Sequence, residues 1–115
     1  MKYLLLIYGD EKAVLSASKA QVEKMMSAYA AYTETMKKAG VYMGGERLRP
    51  TNSATTVRMR ESKTQALDGP YAETKEQLGG YFMIEASDLD AALLWAARCP
   101  GAAHGSIEVR PIWSM

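Results

Sequence analysis

A short polar turn carries the residues of this sequence that are best suited to chemistry. Asp68-Gly69-Pro70 favours a rigid turn, because Asp can hydrogen-bond nearby backbone, Gly accepts a positive φ and Pro fixes its own φ. The residues that follow add a phenol, two carboxylates and an ammonium group, on Tyr71, Glu73, Glu76 and Lys75. Loops held by a rigid frame often carry function, so we predict a small acid–base or binding pocket at this turn.

Two residues are candidates for proton transfer. Asp68 is the predicted acid or base, although it can equally serve only to cap its own turn. His104 is the single histidine of the chain and lies in the Ala102-Ala103-His104-Gly105 loop. Its imidazole titrates near neutral pH, as a general base should, but a lone loop histidine is more often a solvated surface group. The pair can act together only if the two loops meet.

Six further side chains are predicted to orient a small polar substrate. Each has a structural alternative: Glu73 and Lys75 can be merely solvated, and Arg110 can form an ion pair with Glu108 on the same strand face. Tyr32 can belong to the core stripe of a helix rather than to a pocket. The predicted substrate-binding residues are Tyr71, Glu73, Lys75, Arg47, Arg110 and Tyr32.

Several chemical classes find no support in the sequence. One histidine and one cysteine cannot build a zinc site, and no carboxylate cluster replaces them. Gly44-Gly45 and Gly79-Gly80 lack the flanking pattern of a phosphate-binding loop, and no serine nucleophile elbow occurs. We therefore predict no metal site and no cofactor.

Composition limits the partners and the compartment. The 115 residues are expected to form one domain, residues 1–115. The 14 basic and 13 acidic side chains nearly cancel, which argues against nucleic acid or an anionic membrane surface as a partner. No apolar stretch approaches the ~20 residues of a membrane span. The single cysteine, Cys99, excludes an internal disulfide and favours the reducing cytoplasm.

The pattern of apolar residues predicts the elements that hold the turn. Lys2–Tyr8 and Gly79–Glu85 read as strands that are apolar on both faces. Lys19–Ala39 reads as a helix with a Ser18–Gln21 capping box, and it follows a polar loop, Gly9–Ser16. A second helix is expected after a Ser87 cap. Its predicted buried stripe is Leu89, Ala92, Leu93, Ala96 and Ala97, with Trp95 off the stripe.

The remaining segments complete an α+β chain. Val41–Leu48 and Gly105–Trp113 have strand character, and Thr74–Leu78 is expected to form one helical turn. Ala54–Arg60 and Thr64–Leu67 flank a Glu61-Ser62-Lys63 turn and form a hairpin. Without that hairpin the order is βαββαβ, the ferredoxin-like plan, in which both helices cover one sheet face. Since the two central strands are apolar on both sides, we predict that a second copy covers the other face in a homodimer.

The same residues resemble a known family. The segment Asp68–Glu76 is similar to the signature of the DGPF proteins, part of the YCII-related family, with Tyr71 where the motif has Phe. The segments Lys2–Tyr8, Gly44-Gly45-Glu46, Gly79-Gly80-Tyr81 and Ile107–Pro111 match in order, so the resemblance spans nearly the whole chain. It implies a dimeric α+β barrel built from ferredoxin-like halves.

The resemblance implies less about activity. Smaller relatives are proposed to be enzymes that use a His–Asp pair in a cleft, and Asp68 matches the acid of that pair. The helical histidine has no counterpart between Ser18 and Ala39. Members like this chain often share operons with extracytoplasmic-function sigma factors. Two functions therefore stay open: a cofactor-independent enzyme acting on a small polar metabolite, and a non-catalytic sensor that works beside a sigma factor.

Overall fold

The computed structural model describes residues 1–114 as an α+β fold with six strands and three helices. Short 3-10 turns, Thr51–Ser53 and Pro100–Ala103, precede the third and the sixth strand. In chain order the elements are β1 (Lys2–Gly9), α1 (Glu11–Leu15), α2 (Lys19–Lys38), β2 (Tyr42–Arg47), β3 (Thr55–Arg60), β4 (Lys63–Asp68), β5 (Gln77–Glu85), α3 (Leu89–Arg98) and β6 (Ser106–Pro111).

Four of the strands form one antiparallel sheet in the order β2-β5-β1-β6, which is the strand order of the predicted βαββαβ plan. The two apolar strands, β1 and β5, lie at the centre, as their sequences predict. Their register pairs Leu4 with Met83 and Leu6 with Tyr81, while β6 places Arg110 opposite Leu4. Side chains therefore alternate between a face under the helices and an open face.

The hydrophobic core lies between the sheet and helices α2 and α3. Tyr3, Leu5 and Ile84 point from the central strands into this layer and are almost fully buried. From the helices, Tyr32, Met36, Ala92 and Ala96 close the layer, and Tyr32 meets Phe82 edge to face at 5.5 Å between ring centroids. This packing fixes the ends of the strands, where the predicted site residues lie.

The opposite face of the sheet is apolar along its centre, and within residues 1–114 helices α2 and α3 pack on the other face and leave this one uncovered. Leu4, Leu6, Tyr81 and Met83 occupy it and are only half-buried. Glu108 and Arg110 border this row on β6, where their side chains form an ion pair at 3.5 Å. The ion pair matches the structural alternative foreseen for Arg110.

Strands β3 and β4 form a separate two-stranded sheet, called here the arm (Thr55–Asp68). The arm reverses at Glu61 and Ser62, which both adopt positive φ, as in the two-residue turns preferred by hairpins. Every residue of β4 is exposed. The predicted hairpin is confirmed, and it projects from the main sheet instead of joining it.

Three local expectations were wrong. The Gly9–Ser16 loop contains helix α1, because the Asp10 carboxylate caps it by accepting from the Lys12 amide at 3.1 Å. Thr74–Leu78 is not a helical turn, because β5 already begins at Gln77. The α3 cap is Asp88, whose side chain accepts from the Ala91 amide at 2.9 Å, and not Ser87.

The residues that helices α2 and α3 bury also differ in part from the predicted buried stripes. On α3, Ala92 and Ala96 are buried as expected, but Leu89, Leu93 and Ala97 are exposed and Trp95 packs against the core. The cause is the rotation of α3, which turns the small alanines toward the sheet and allows a close approach. On α2 the buried stripe is confined to the C-terminal half, since Val22 and Met26 are exposed.

Within residues 1–114 the helices are too short or too polar to cross a membrane.

Candidate functional site

The Asp68-Gly69-Pro70 turn lies at the root of the arm. Asp68 is the last residue of β4 and pairs with Thr55. Gly69 has φ of +107°, a value that other residues rarely adopt, which explains the glycine at this position. Its amide donates to the Ala54 carbonyl at 2.7 Å, and its own carbonyl accepts from the Thr56 hydroxyl at 2.9 Å. The turn and the arm are therefore one hydrogen-bonded unit.

After the turn, the chain forms one wall of a groove of about 300 Å³, called here the turn groove. The facing wall comes from the start of α1 and from the 3-10 turn at Thr51. The walls meet because Gly9 pairs with Gln77, which brings the end of β1 beside the start of β5. The lining residues are Glu11, Lys12, Thr51, Pro70, Ala72, Glu73, Thr74 and Gln77.

A hydrogen-bond network fixes the shape of this groove. The two carboxylate oxygens of Glu11 accept from the Thr51 amide and the Thr51 hydroxyl, each at 2.6 Å. The Glu11 amide donates to the side-chain oxygen of Gln77 at 2.9 Å, and the Gln77 side-chain amide donates to the Thr74 carbonyl at 2.6 Å. Charge-assisted bonds of this kind are stronger than neutral ones, so the groove is held open by its own polar groups.

The motif segment lies at the end of the sheet where β1 finishes and β5 begins. Its functional groups, however, are spread apart. Asp68, Glu73 and Lys75 are all exposed, and of the three only Glu73 belongs to the lining of the turn groove. Tyr71 is also exposed, and its ring lies over the Arg58 guanidinium at 5.4 Å. Of these predicted residues, Glu73 is the one placed where it can touch a molecule bound in the groove.

The motif segment does meet the loop that carries His104. The Ser106 hydroxyl donates to the Glu76 carboxylate at 2.7 Å, which ties the start of β6 to the motif. His104 itself is exposed at the end of the 3-10 turn Pro100–Ala103. Among residues 1–114, no hydrogen bond joins Asp68 to His104, so the two loops are neighbours without forming a bonded acid–base pair.

The two predicted arginines lie at different places. Arg47 ends β2 opposite Gly80, at the same end of the sheet as the turn groove. Arg110 lies four positions along β6 from Ser106, about 13 Å at 3.3 Å per residue. It lines a second, shallow groove on the open face with Leu4, Leu6, Pro111, Ile112 and Trp113. Arg110 is therefore separate from the turn groove within one chain.

Tyr32 belongs to the core and not to either groove. Its hydroxyl donates to the Trp95 carbonyl at 2.7 Å, which joins α2 to α3. Burial raises the pKa of Tyr32 above its ordinary value, and the nearby Cys99 thiol raises it further. The pKa of Tyr29 is raised by the same two causes. Both phenols therefore stay protonated at neutral pH and serve packing.

Sequence reasoning missed four residues of the turn groove: Glu11, Lys12, Thr51 and Gln77. Glu11, Lys12 and Thr51 lie far from the motif along the chain, in a segment that was interpreted as a plain loop and in a polar turn, whereas Gln77 directly follows the motif in a segment that was predicted as a helical turn. One signal was present. Antiparallel neighbours β1 and β5 require the residues after β1 to lie beside the residues before β5, which places Glu11 and Lys12 next to the motif.

No group of three or more metal-ligating side chains occurs among residues 1–114. Glu11 and Glu73 are the two carboxylates in the groove lining, and the Glu11 carboxylate is already bonded to Thr51. Oxygen-preferring metals need several such ligands together. The donor set of the groove fits hydrogen bonding to an organic molecule better than it fits metal coordination.

Known proteins resemble both the sequence and the fold of this chain. An uncharacterised protein of Rhizobium meliloti (strain 1021) is 40% identical over 114 residues, covering 97% of this chain and 92% of the relative. A solved structure of 5-chloro-2-hydroxyhydroquinone dehydrochlorinase from Burkholderia phenoliruptrix AC1100, in complex with 2,5-dihydroxybenzoquinone, has a similar fold with a TM-score of 0.56. It is 15% identical in sequence, with 99% of this chain and 94% of that chain covered. The model of the YCII-related domain matches residues 1–115, and the chain belongs to this family.

Proposed function

We propose that this protein binds a small polar ligand in the turn groove and acts on it by acid–base chemistry without a cofactor. One observation carries the proposal: the motif segment Pro70–Thr74 forms a wall of a preformed groove instead of a plain connection between strands. Preformed concave sites with a few fixed polar groups are the usual form of small-ligand sites. The Glu11–Thr51 bonds supply that fixed frame.

The groove offers complementary groups to a small oxygenated molecule. Lys12 brings an ammonium group and Glu73 a carboxylate, and the Thr74 hydroxyl, which donates to the Glu76 carbonyl, can still accept a hydrogen bond. Asp68 and His104 stand outside the lining, and we assign them to proton transfer at its rim, to and from a ligand that reaches beyond the groove. The fold neighbour is an enzyme whose structure holds a hydroxylated quinone, and such rings are the first ligands to test.

We also propose that the protein is a homodimer. The central row of the open sheet face, formed by Leu4, Leu6, Tyr81 and Met83, is apolar and lies opposite the helices. An exposed apolar patch of this kind is a common mark of a protein interface. A second copy brings an identical patch, and a two-fold axis is the simplest way to cover both. A cytoplasmic location agrees with the lone buried Cys99.

Titration with 2,5-dihydroxybenzoquinone and a panel of small hydroxylated rings, followed by amide NMR, tests ligand binding. We expect the amide signals of Lys12, Thr51 and Thr74 to shift together. Lys12→Ala should weaken binding about 10-fold, the loss of one charge-assisted contact. Lys63→Ala, at the exposed tip of the arm, is the matched control and should leave affinity unchanged. Shifts that avoid the groove for every ligand would refute the proposed site.

Measuring whether the bound ligand is converted distinguishes the two functions that stay open, the enzyme and the non-catalytic sensor. If the protein is an enzyme, Asp68→Asn should stop conversion of the bound ligand while the groove amides still shift. A ligand that binds at the groove and is recovered unchanged would instead support the sensor beside a sigma factor. Crosslinking in cells of the natural host then gives the deciding measurement, because a sensor must be recovered with the sigma factor or its regulator.

A further inference from the structure

The arm is a second region of this chain that lacks a cover. Val57 and Met59 lie on one face of it, opposite Ala66 and Thr64, and their exposed fractions are 61% and 58%. Leu67 lies on the other face, which is partly covered by the chain itself, since Arg58 on that face is half-buried beneath the Tyr71 ring. The free apolar surface of the arm is therefore the Val57–Met59 face.

The projection of the arm makes the single chain unusually extended. The radius of gyration is 16.0 Å, whereas a compact chain of this length has about 13 Å. The molecule measures 48 × 44 × 19 Å, a flat shape for its size. A two-stranded hairpin is only marginally stable in water when nothing packs on it. An arm of this length therefore indicates a packing partner.

The size of the open sheet face, compared with the size of a stable interface, indicates that the packing partner of the arm is a second copy of this chain. The open face of the four-stranded sheet, taken from strand spacing and rise, measures about 400 Å². A stable interface buries about 800 Å² of accessible surface on each partner, an area larger than the flat footprint of this sheet face. The arm is a separate sheet that leaves the main sheet between β2 and β5, and it presents further apolar surface at Val57 and Met59. In a two-fold symmetric dimer the arm of each copy makes the same contact, so the apolar area buried by one arm is buried twice.

We propose that the arm of each copy packs its Val57–Met59 face against the body of the other copy, and this inference rests on the homodimer proposed above. The contact bears on the ligand site as well. The arm holds the motif turn through the Thr56 hydroxyl and the Ala54 carbonyl, so an arm fixed by the partner fixes the Pro70–Thr74 wall. The partner copy therefore stabilises one wall of the preformed turn groove.

A double substitution tests the arm. Val57→Lys with Met59→Lys places two charges on the free face, where the two side chains are 61% and 58% exposed and Met59 contacts the Thr64 hydroxyl through its sulfur. We expect the dimer dissociation constant, measured by sedimentation equilibrium, to rise at least about 100-fold, because both arms lose their apolar contact. Leu15→Lys with Leu94→Lys adds the same charge at equally exposed helix positions and should leave the constant unchanged.

Photo-crosslinking then locates the contact. Met59→benzoylphenylalanine is placed in dimers mixed from light and heavy-isotope chains, and mass spectrometry identifies crosslinks between the two labels. Crosslinks from position 59 to the body of the other copy support the arm contact. A dimer whose crosslinks from position 59 all stay within one label overturns the arm contact and leaves the homodimer intact. A wild-type mass of 12.6 kDa in solution overturns the dimer and the arm contact together.

Discussion

The layer between helices and sheet and the arm both contain strands with a row of apolar side chains on one face, but the chain covers that row only in the layer. In the layer, Leu5 and Ile84 are fully buried beneath α2 and α3. In the arm, Val57 and Met59 form such a row with nothing on their face. Alternation specifies a strand and its two faces, but it does not specify what covers them. The motif turn stands at the junction of these two regions, so its environment depends on both.

The prediction with the largest expected effect compares a leucine-to-alanine substitution in the helix–sheet layer with the same substitution in the arm. Leu5→Ala should lower the free energy of unfolding by about 2–5 kcal/mol, because it opens a cavity in a closed core. Leu67→Ala, at a position 51% exposed on the arm, should cost less than about 1 kcal/mol when single chains are kept apart by dilution. Urea unfolding followed by circular dichroism measures both. Equal losses would mean that the arm is packed in the single chain.

The second test addresses the strand end beside the turn groove. A Cβ atom at Gly80 would lie 2.8 Å from the Glu46 carbonyl oxygen, which is backbone and cannot rotate away. Gly80→Ala should therefore cost about 1–3 kcal/mol by forcing β2 away from β5. At Gly79 the nearest such atom is 3.9 Å away, so Gly79→Ala is the matched control and should change stability little. Similar melting temperatures for the two variants would contradict the close approach of β2 to β5 at this position.

Much of the layer could be predicted from the sequence because its signals are local and strong. The Ser18–Gln21 capping box, the Glu61-Ser62 reversal and the two apolar strands each depend on neighbouring residues alone, and all three are confirmed. The resemblance to the YCII-related family is confirmed over the whole chain. Helix α1 was missed since five residues offer too short a pattern to distinguish a helix from a loop.

The site was less predictable because its walls come from distant parts of the chain. The residues after the Asp68 turn were singled out by their types, and Glu73 is the predicted residue that lines the groove, but Glu11 and Thr51 enter it through tertiary contacts that no local pattern encodes. The sequence favoured core packing over a pocket for the tyrosines of the α2 stripe, although Tyr32 was also named as a substrate-binding candidate. Its hydroxyl proved to be used by the Trp95 carbonyl, a bond between two helices that only the packed layer reveals.

Tyr32→Phe has the smallest expected effect on stability. It tests whether Tyr32 serves the packing of the core or the binding of a ligand. It removes the hydrogen bond to the Trp95 carbonyl while keeping the ring in the core, so stability should fall by about 1 kcal/mol. Tyr71→Phe removes an exposed hydroxyl near the turn and should leave stability unchanged. Urea unfolding measures the stability of both variants, and NMR titration of the groove amides measures how tightly each variant binds ligand. Because Tyr32 lies outside the groove lining, its variant should bind ligand like wild type, and a selective loss of affinity would return Tyr32 to the site.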